Sequence, residues 1–170
     1  MRKSVNLREA FLSVIVIATI AGWLVAQEPS SNTARATSPS PSAPHIITTP
    51  ESIKWNAAGN GTEFTVLSGS PNIEGAPFVL RIRFADQVRV APHWHPVDEH
   101  ITVITGTFYM GMGEKFNESA AKEMPAGSYG LMPKETRHFG WAKGTTIIQI
   151  HGVGPFRTIW VDSTGKPATN

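Results

Sequence analysis

At 170 residues, with six histidines, no cysteine and a formal charge of +2, the chain has room for one domain with a hydrophobic core and not for two of ordinary size. The lack of cysteine excludes disulfides, thiolate metal ligands, a thiol nucleophile and a lipid-modified cysteine. The excess charge lies in the first 26 residues, where Arg2, Lys3 and Arg8 outweigh Glu9. From residue 27 onward twelve basic side chains balance twelve acidic ones, which offers no basic surface for nucleic acid.

Residues 1–8, MRKSVNLR, are basic, and residues 10–26, AFLSVIVIATIAGWLVA, carry no charge. That layout is an export signal, so residues 1–26 predict a periplasmic or secreted protein. Seventeen uncharged positions also approach the roughly 20 that cross a bilayer as a helix. The alternative is an anchor retained through residues 10–26, the one route to membrane contact. Residues 27–45, QEPSSNTARATSPSPSAPH, are mostly Ser, Thr, Pro and Ala with hardly an apolar side chain. Such a stretch cannot offset the entropy of being ordered and reads as a disordered linker, in which His45 is incidental.

From residue 46 to 165 the texture is that of a folded domain, followed by a short tail at 166–170. Runs rich in Val, Ile, Phe, Thr and Tyr recur between Gly, Pro and Asn: TEFTVLSG at 62–69, PFVLRIRFAD at 77–86, VRVAPHWH at 88–95, EHITVITGTFYMG at 99–111, SYGLMP at 128–133, HFGWA at 138–142, TTIIQIHG at 145–152 and FRTIWV at 156–161. Each predicts a strand. In the second, Phe78, Leu80, Ile82 and Phe84 alternate with Val79, Arg81 and Arg83, which puts the two arginines on a wet face. NESAAKEM at 117–124 is the single helical candidate, with Asn117 as its cap. Short strands, tight turns and almost no helix predict an all-β sandwich or barrel.

The stretch PHWHPVDEH, residues 92–100, holds three of the six histidines. Residues two apart on a strand face one side, so His93 and His95 point together, and a turn at Pro96 can return Glu99 to them. Two imidazoles and a carboxylate suit a divalent first-row metal better than calcium or magnesium, which prefer all-oxygen shells. Farther on, GSYGLMPKETRH at 127–138 gives a glycine turn, a strand, a proline turn and His138. His100 should face away from Glu99 by the pleat. Gln149 and His151 share a face with Ile147 and are candidates to orient a metal ligand or a substrate. Tyr109, Trp94 and Trp141 fit either a pocket mouth or core packing.

These residues resemble the cupins. His93, His95, Glu99 and Gly106 match that family's first motif, and Gly127, Pro133 and His138 match its second. The resemblance covers about residues 50–162 and is nearest to small single-domain cupins akin to the sensor domains of some anti-sigma factors. It implies a double-stranded β-helix, or jelly-roll barrel, with His93, His95, Glu99 and His138 binding iron, manganese, nickel, cobalt or zinc. Such a site implies a dioxygenase-type oxidoreductase acting on a small organic acid or phenolic. A non-catalytic metal or ligand sensor and a metal-dependent isomerase or hydrolase are the alternatives. Homodimers are frequent in the family. Three positions depart from its pattern: Gln87 and Glu135 stand where glycine is usual, and Ala142 where asparagine often ends the second motif.

Overall fold

The computed structural model describes residues 45–168. The proposed signal or anchor at 1–26, the linker through residue 44 and the last two residues lie outside this range. Among the described residues no helix is long and apolar enough to cross a membrane. Nine strands follow one another: β1 Asn56–Gly59, β2 Thr62–Gly69, β3 Pro77–Phe84, β4 Arg89–Trp94, β5 Glu99–Met112, β6 Lys122–Pro125, β7 Tyr129–Met132, β8 His138–Val153 and β9 Ile159–Trp160. Two three-residue 3-10 turns, at Pro50–Ser52 and Glu118–Ala120, are the helical elements of the described chain.

The helix expected at 117–124 is therefore a correction. Asn117 does cap, its side chain accepting from the Ser119 amide at 3.2 Å, but after one turn the chain becomes β6. There Met124 is only 6 % exposed, and the four residues Lys122–Pro125 pair with Met110–Thr107 of β5. A buried side chain and a sheet edge outweigh the local helix preference of ESAAKE. The runs at 138–142 and 145–152 are likewise one strand, β8, and of the run at 156–161 only β9 is extended into a ladder.

The long strands β5 and β8 organise the fold. They pair antiparallel from His100↔His151 to Met112↔His138, with register shifts around Thr105. The other edge of β8 pairs first with β4, through His93↔His138, and then with β3, through Phe84↔Thr146 to Pro77↔Val153. β7 joins the first half of β5 and β6 its second half. One continuous ladder thus bends at its middle and serves two faces of a curled sheet, the jelly-roll arrangement. Along β5 the buried positions change phase at the bend, from Ile101 and Val103 to Phe108 and Met110, as an inserted residue in a period-two strand requires. Gly106 sits there at φ +74, where an added Cβ would lie 2.6 Å from the Thr145 carbonyl oxygen. Only glycine meets both conditions without strain.

The core fills the concave side: Phe78, Leu80 and Phe84 from β3, Ile101 and Val103 from β5, Ile148 and Ile150 from β8, with Phe84 stacked on Phe108 at 5.4 Å. The alternation read in β3 holds. Arg81 and Arg83 face outward, Arg81 Nε donating to Gln149 Oε1 at 3.1 Å and Arg83 pairing with Glu63 at 2.6 Å.

Candidate metal centre

Four residues from three strand ends meet at one end of the core. His93 is near the end of β4, His95 just beyond it, Glu99 opens β5 and His138 opens β8. The β4–β8 ladder makes His93 and His138 direct partners. The turn at 95–98 is fastened to the turn at 133–136 by two bonds: the Glu135 amide donates to the His95 carbonyl, and the Lys134 amide to Asp98 Oδ1, each at 2.8 Å. The segments carrying the two sequence motifs are thus held to each other by one backbone bond and one backbone-to-carboxylate bond before any ligand is considered. Ligand nitrogens of His93, His95 and His138 lie within 4.8 Å of one another. Glu99 Oε2 lies 3.1 Å from His138 Nε2 and 3.5 Å from His95 Nε2. All four side chains are buried, from His138 at 2 % exposed to His93 at 6 %.

Three backbone carbonyls set the tautomers. His93 Nδ1 is 2.7 Å from the Ala91 oxygen, His95 Nδ1 2.9 Å from the Arg157 oxygen and His138 Nδ1 2.9 Å from the Thr136 oxygen. A carbonyl only accepts, so each Nδ1 carries a proton, and in its neutral form each ring turns the lone pair of Nε2 inward. Burial, and then the neighbouring His138, push the His93 pKa down to about 3; burial also lowers His95, against the pull of Glu99. In this state His138 Nε2 and Glu99 Oε2 are two acceptors 3.1 Å apart, and His95 Nε2 and Glu99 Oε2 have no hydrogen-bond partner. Buried lone pairs converging on a buried carboxylate oxygen are costly as they stand and become favourable around a cation. The donor set fits a first-row divalent ion, and the carbonyl-held Nδ1 groups are the usual support for metal-binding imidazoles.

The four residues line a cavity of about 380 Å³ whose other walls come from β1 to β5, β8 and the segment that follows it. Gln149 and His151 do not reach it. They lie on the outer face of β8, opposite Ile148 and Ile150, with Gln149 bonded to Arg81 and His151 stacked on His100 at 4.8 Å. His100 does point away from Glu99, toward the Tyr129 hydroxyl at 2.7 Å. Tyr109 and Trp141 stack on each other at 4.0 Å and, like Trp94, are not among the cavity walls. His45 is exposed.

The aromatic residues that do meet the site are Phe156, whose ring stacks on His95 at 4.2 Å, and Trp160, tilted against His93 at 5.2 Å. Their run was readable as a strand, but nothing in its local pattern names a partner more than 60 residues away. The departures from the cupin pattern also have a structural counterpart. Gln87 and Glu135, standing where the family has glycine, both keep positive φ, at 62° and 63°, so the backbone retains the glycine conformation with a side chain on it. Ala142 is fully buried and pairs with Phe108.

The family model described as the ChrR Cupin-like domain matches residues 43–157. No curated protein is similar enough in sequence to match the chain. Among solved structures, KdgF from Halomonas sp. superposes with a TM-score of 0.53 at 16 % identity, covering 66 % of this chain and 96 % of its own. An acetylacetone dioxygenase from Acinetobacter johnsonii gives 0.57 at 14 %, covering 78 % and 87 %, and the polyketide cyclase RemF from Streptomyces resistomycificus 0.54 at 15 %, covering 70 % and 88 %. Likeness at such identities shows a shared fold, and three differently named proteins on that fold show how little it fixes the reaction. The sequence match spans most of the chain and both histidine-bearing segments, on a fold shared with these cupin structures: this chain belongs to the ChrR Cupin-like domain family of the cupin superfamily.

Proposed function

We propose that this is an exported metalloprotein in which His93, His95, Glu99 and His138 hold one divalent first-row ion, and that it acts as a dioxygenase-type oxidoreductase on a small organic molecule. The observation that carries the reading is the convergence of three buried imidazoles, each held by a carbonyl at Nδ1, on a buried, unpartnered carboxylate oxygen in a largely apolar cavity. A bound ion supplies Lewis acidity and, in the case of iron or manganese, one-electron chemistry. The chain supplies the rest: carbonyls that fix each ring, a carboxylate that balances charge, and apolar walls that keep bulk water from a reacting molecule. Export rests on the basic start and the uncharged run at 10–26, and an N-terminus near Gln27 on the mature protein tests it.

Elemental analysis of protein purified without a histidine tag is expected to give about one metal per chain. His93→Ala or Glu99→Gln should lower that occupancy at least about tenfold at limiting metal. Full occupancy in a chain lacking both His95 and His138 side chains would show that the metal is held elsewhere. Oxygen uptake during a substrate screen then tests the reaction class. A second reading, a ligand sensor without turnover, is favoured by the match to the ChrR Cupin-like domain. Saturable ligand binding to the metal-loaded protein with no oxygen consumed would select it.

A further inference from the structure

The walls of the cavity narrow what it can accept. Around the His and Glu cluster they are Leu80, Ile82, Phe84, Phe108, Met110 and other inward apolar groups of the same strands. Apart from the cluster, the described charged and polar wall side chains are Asn60, Thr62, Arg89 and Thr158, besides the indole of Trp160. Asn60 and Thr158 are exposed, which puts them at the rim. Arg89 is the one basic residue among them, and its guanidinium is already engaged, paired with Glu118 and 5.2 Å over the ring of Phe116. Thr62, half-buried, adds one hydroxyl and Trp160 one indole N–H; apart from these and the cluster the inner wall is hydrocarbon. Its volume, about 380 Å³, falls near the lower end of the roughly 300–1,000 Å³ range of ligand pockets.

Resting on the metal reading above, we propose that the cavity takes a small molecule with a metal-ligating head and an apolar, uncharged body, and that it rejects sugar acids, polyols and ligands carrying a second charge. The head meets its partner at the metal. The body meets mainly hydrocarbon, where an extra hydroxyl or charge away from Thr62 and Trp160 loses water and gains no hydrogen bond. A metal-ligating head alone binds any open metal site, so selectivity among such ligands here comes from the body.

The test compares ligands that share a head and differ in body. Metal-loaded full-length protein, its metal content measured on the same sample, is titrated by calorimetry with mandelate against gluconate and with 4-tert-butylcatechol against catechol-4-sulfonate. In each pair the apolar member should bind at least about tenfold more tightly, the factor that one uncompensated polar group commands. Phe64→Arg, at a position 40 % exposed on the wall of the cavity and so tolerant of a long side chain, should narrow the catechol pair by admitting the sulfonate. Gluconate or catechol-4-sulfonate binding as tightly as its apolar counterpart overturns the inference and leaves the metal site standing, as does a fully loaded protein that binds none of the four. A chain that takes up no metal overturns both readings together.

Discussion

His93 has both ring nitrogens committed, Nδ1 to the Ala91 carbonyl and Nε2 to the interior of the site, and this makes its charge state a matter of folding as well as of metal binding. Burial depresses its folded pKa from 6.5 to about 3. Above pH ~6.5 the ring is neutral in both folded and unfolded chains and costs nothing. Below it, the unfolded chain takes up a proton that the folded chain refuses, so stability falls with pH, by ~1.4 kcal/mol per unit for one such group, until the folded pKa is reached. His95 is lowered too and acts in the same direction. Metal-free protein is therefore expected to lose stability as pH falls below ~6.5 toward ~5, seen as a falling urea midpoint. His93→Gln should flatten that slope. An unchanged slope in the variant would place the acid sensitivity in some other group.

At the level of elements, the turns decide how the ligands meet, and two of them are built against preference. Glu135 holds φ at 63° while its amide donates to the His95 carbonyl at 2.8 Å. A side chain in the left-handed region costs about 1 kcal/mol, and glycine avoids it while keeping the same N–H. Glu135→Gly should stabilise the metal-free protein by about 0.5–1 kcal/mol, read as a higher urea midpoint at constant slope; Gln87→Gly should act likewise. A loss of stability instead would mean that the Glu135 carboxylate has a partner worth more than the strain. The strands themselves were largely legible, because β3 and the start of β5 bury one face and show it as alternation, while β2 is a run of strand-forming residues. β6 was not: KEMP has one core residue, Met124, and its pairing with β5 is a long-range fact that no local window contains. Nor was the unity of β8, since Lys143 and Gly144 read as a turn, and only the bent partner strand carries the ladder through them.

For the molecule as a whole, the four candidate ligands could be named from the resemblance of two short motifs to the cupins, but the element that closes the site could not. The chain leaves β8, passes Phe156, Arg157 and Trp160 across the cluster, and is fastened on the far side by the Val161 amide to the Pro92 carbonyl at 3.0 Å. It continues to be tied beyond the expected domain end at 165, through the Asp162 amide to the Lys166 carbonyl and the Ala168 amide to the Trp160 carbonyl, each at 2.8 Å. This strap orients His95 twice, by the Arg157 carbonyl on Nδ1 and by the Phe156 ring on its face at 19°. Phe156 also packs on Phe78 at 5.2 Å, so its loss has two consequences that one variant cannot separate. Phe156→Ala should cost about 2–3 kcal/mol of stability from lost burial and weaken metal binding about tenfold through a freer His95. Phe156→Leu restores most of the buried volume but no flat ring, so it should recover the urea midpoint while metal affinity, measured by competition with a chelator, stays low. Recovery of both by leucine would reduce Phe156 to a packing residue and leave the Arg157 carbonyl as the sole restraint on the ring.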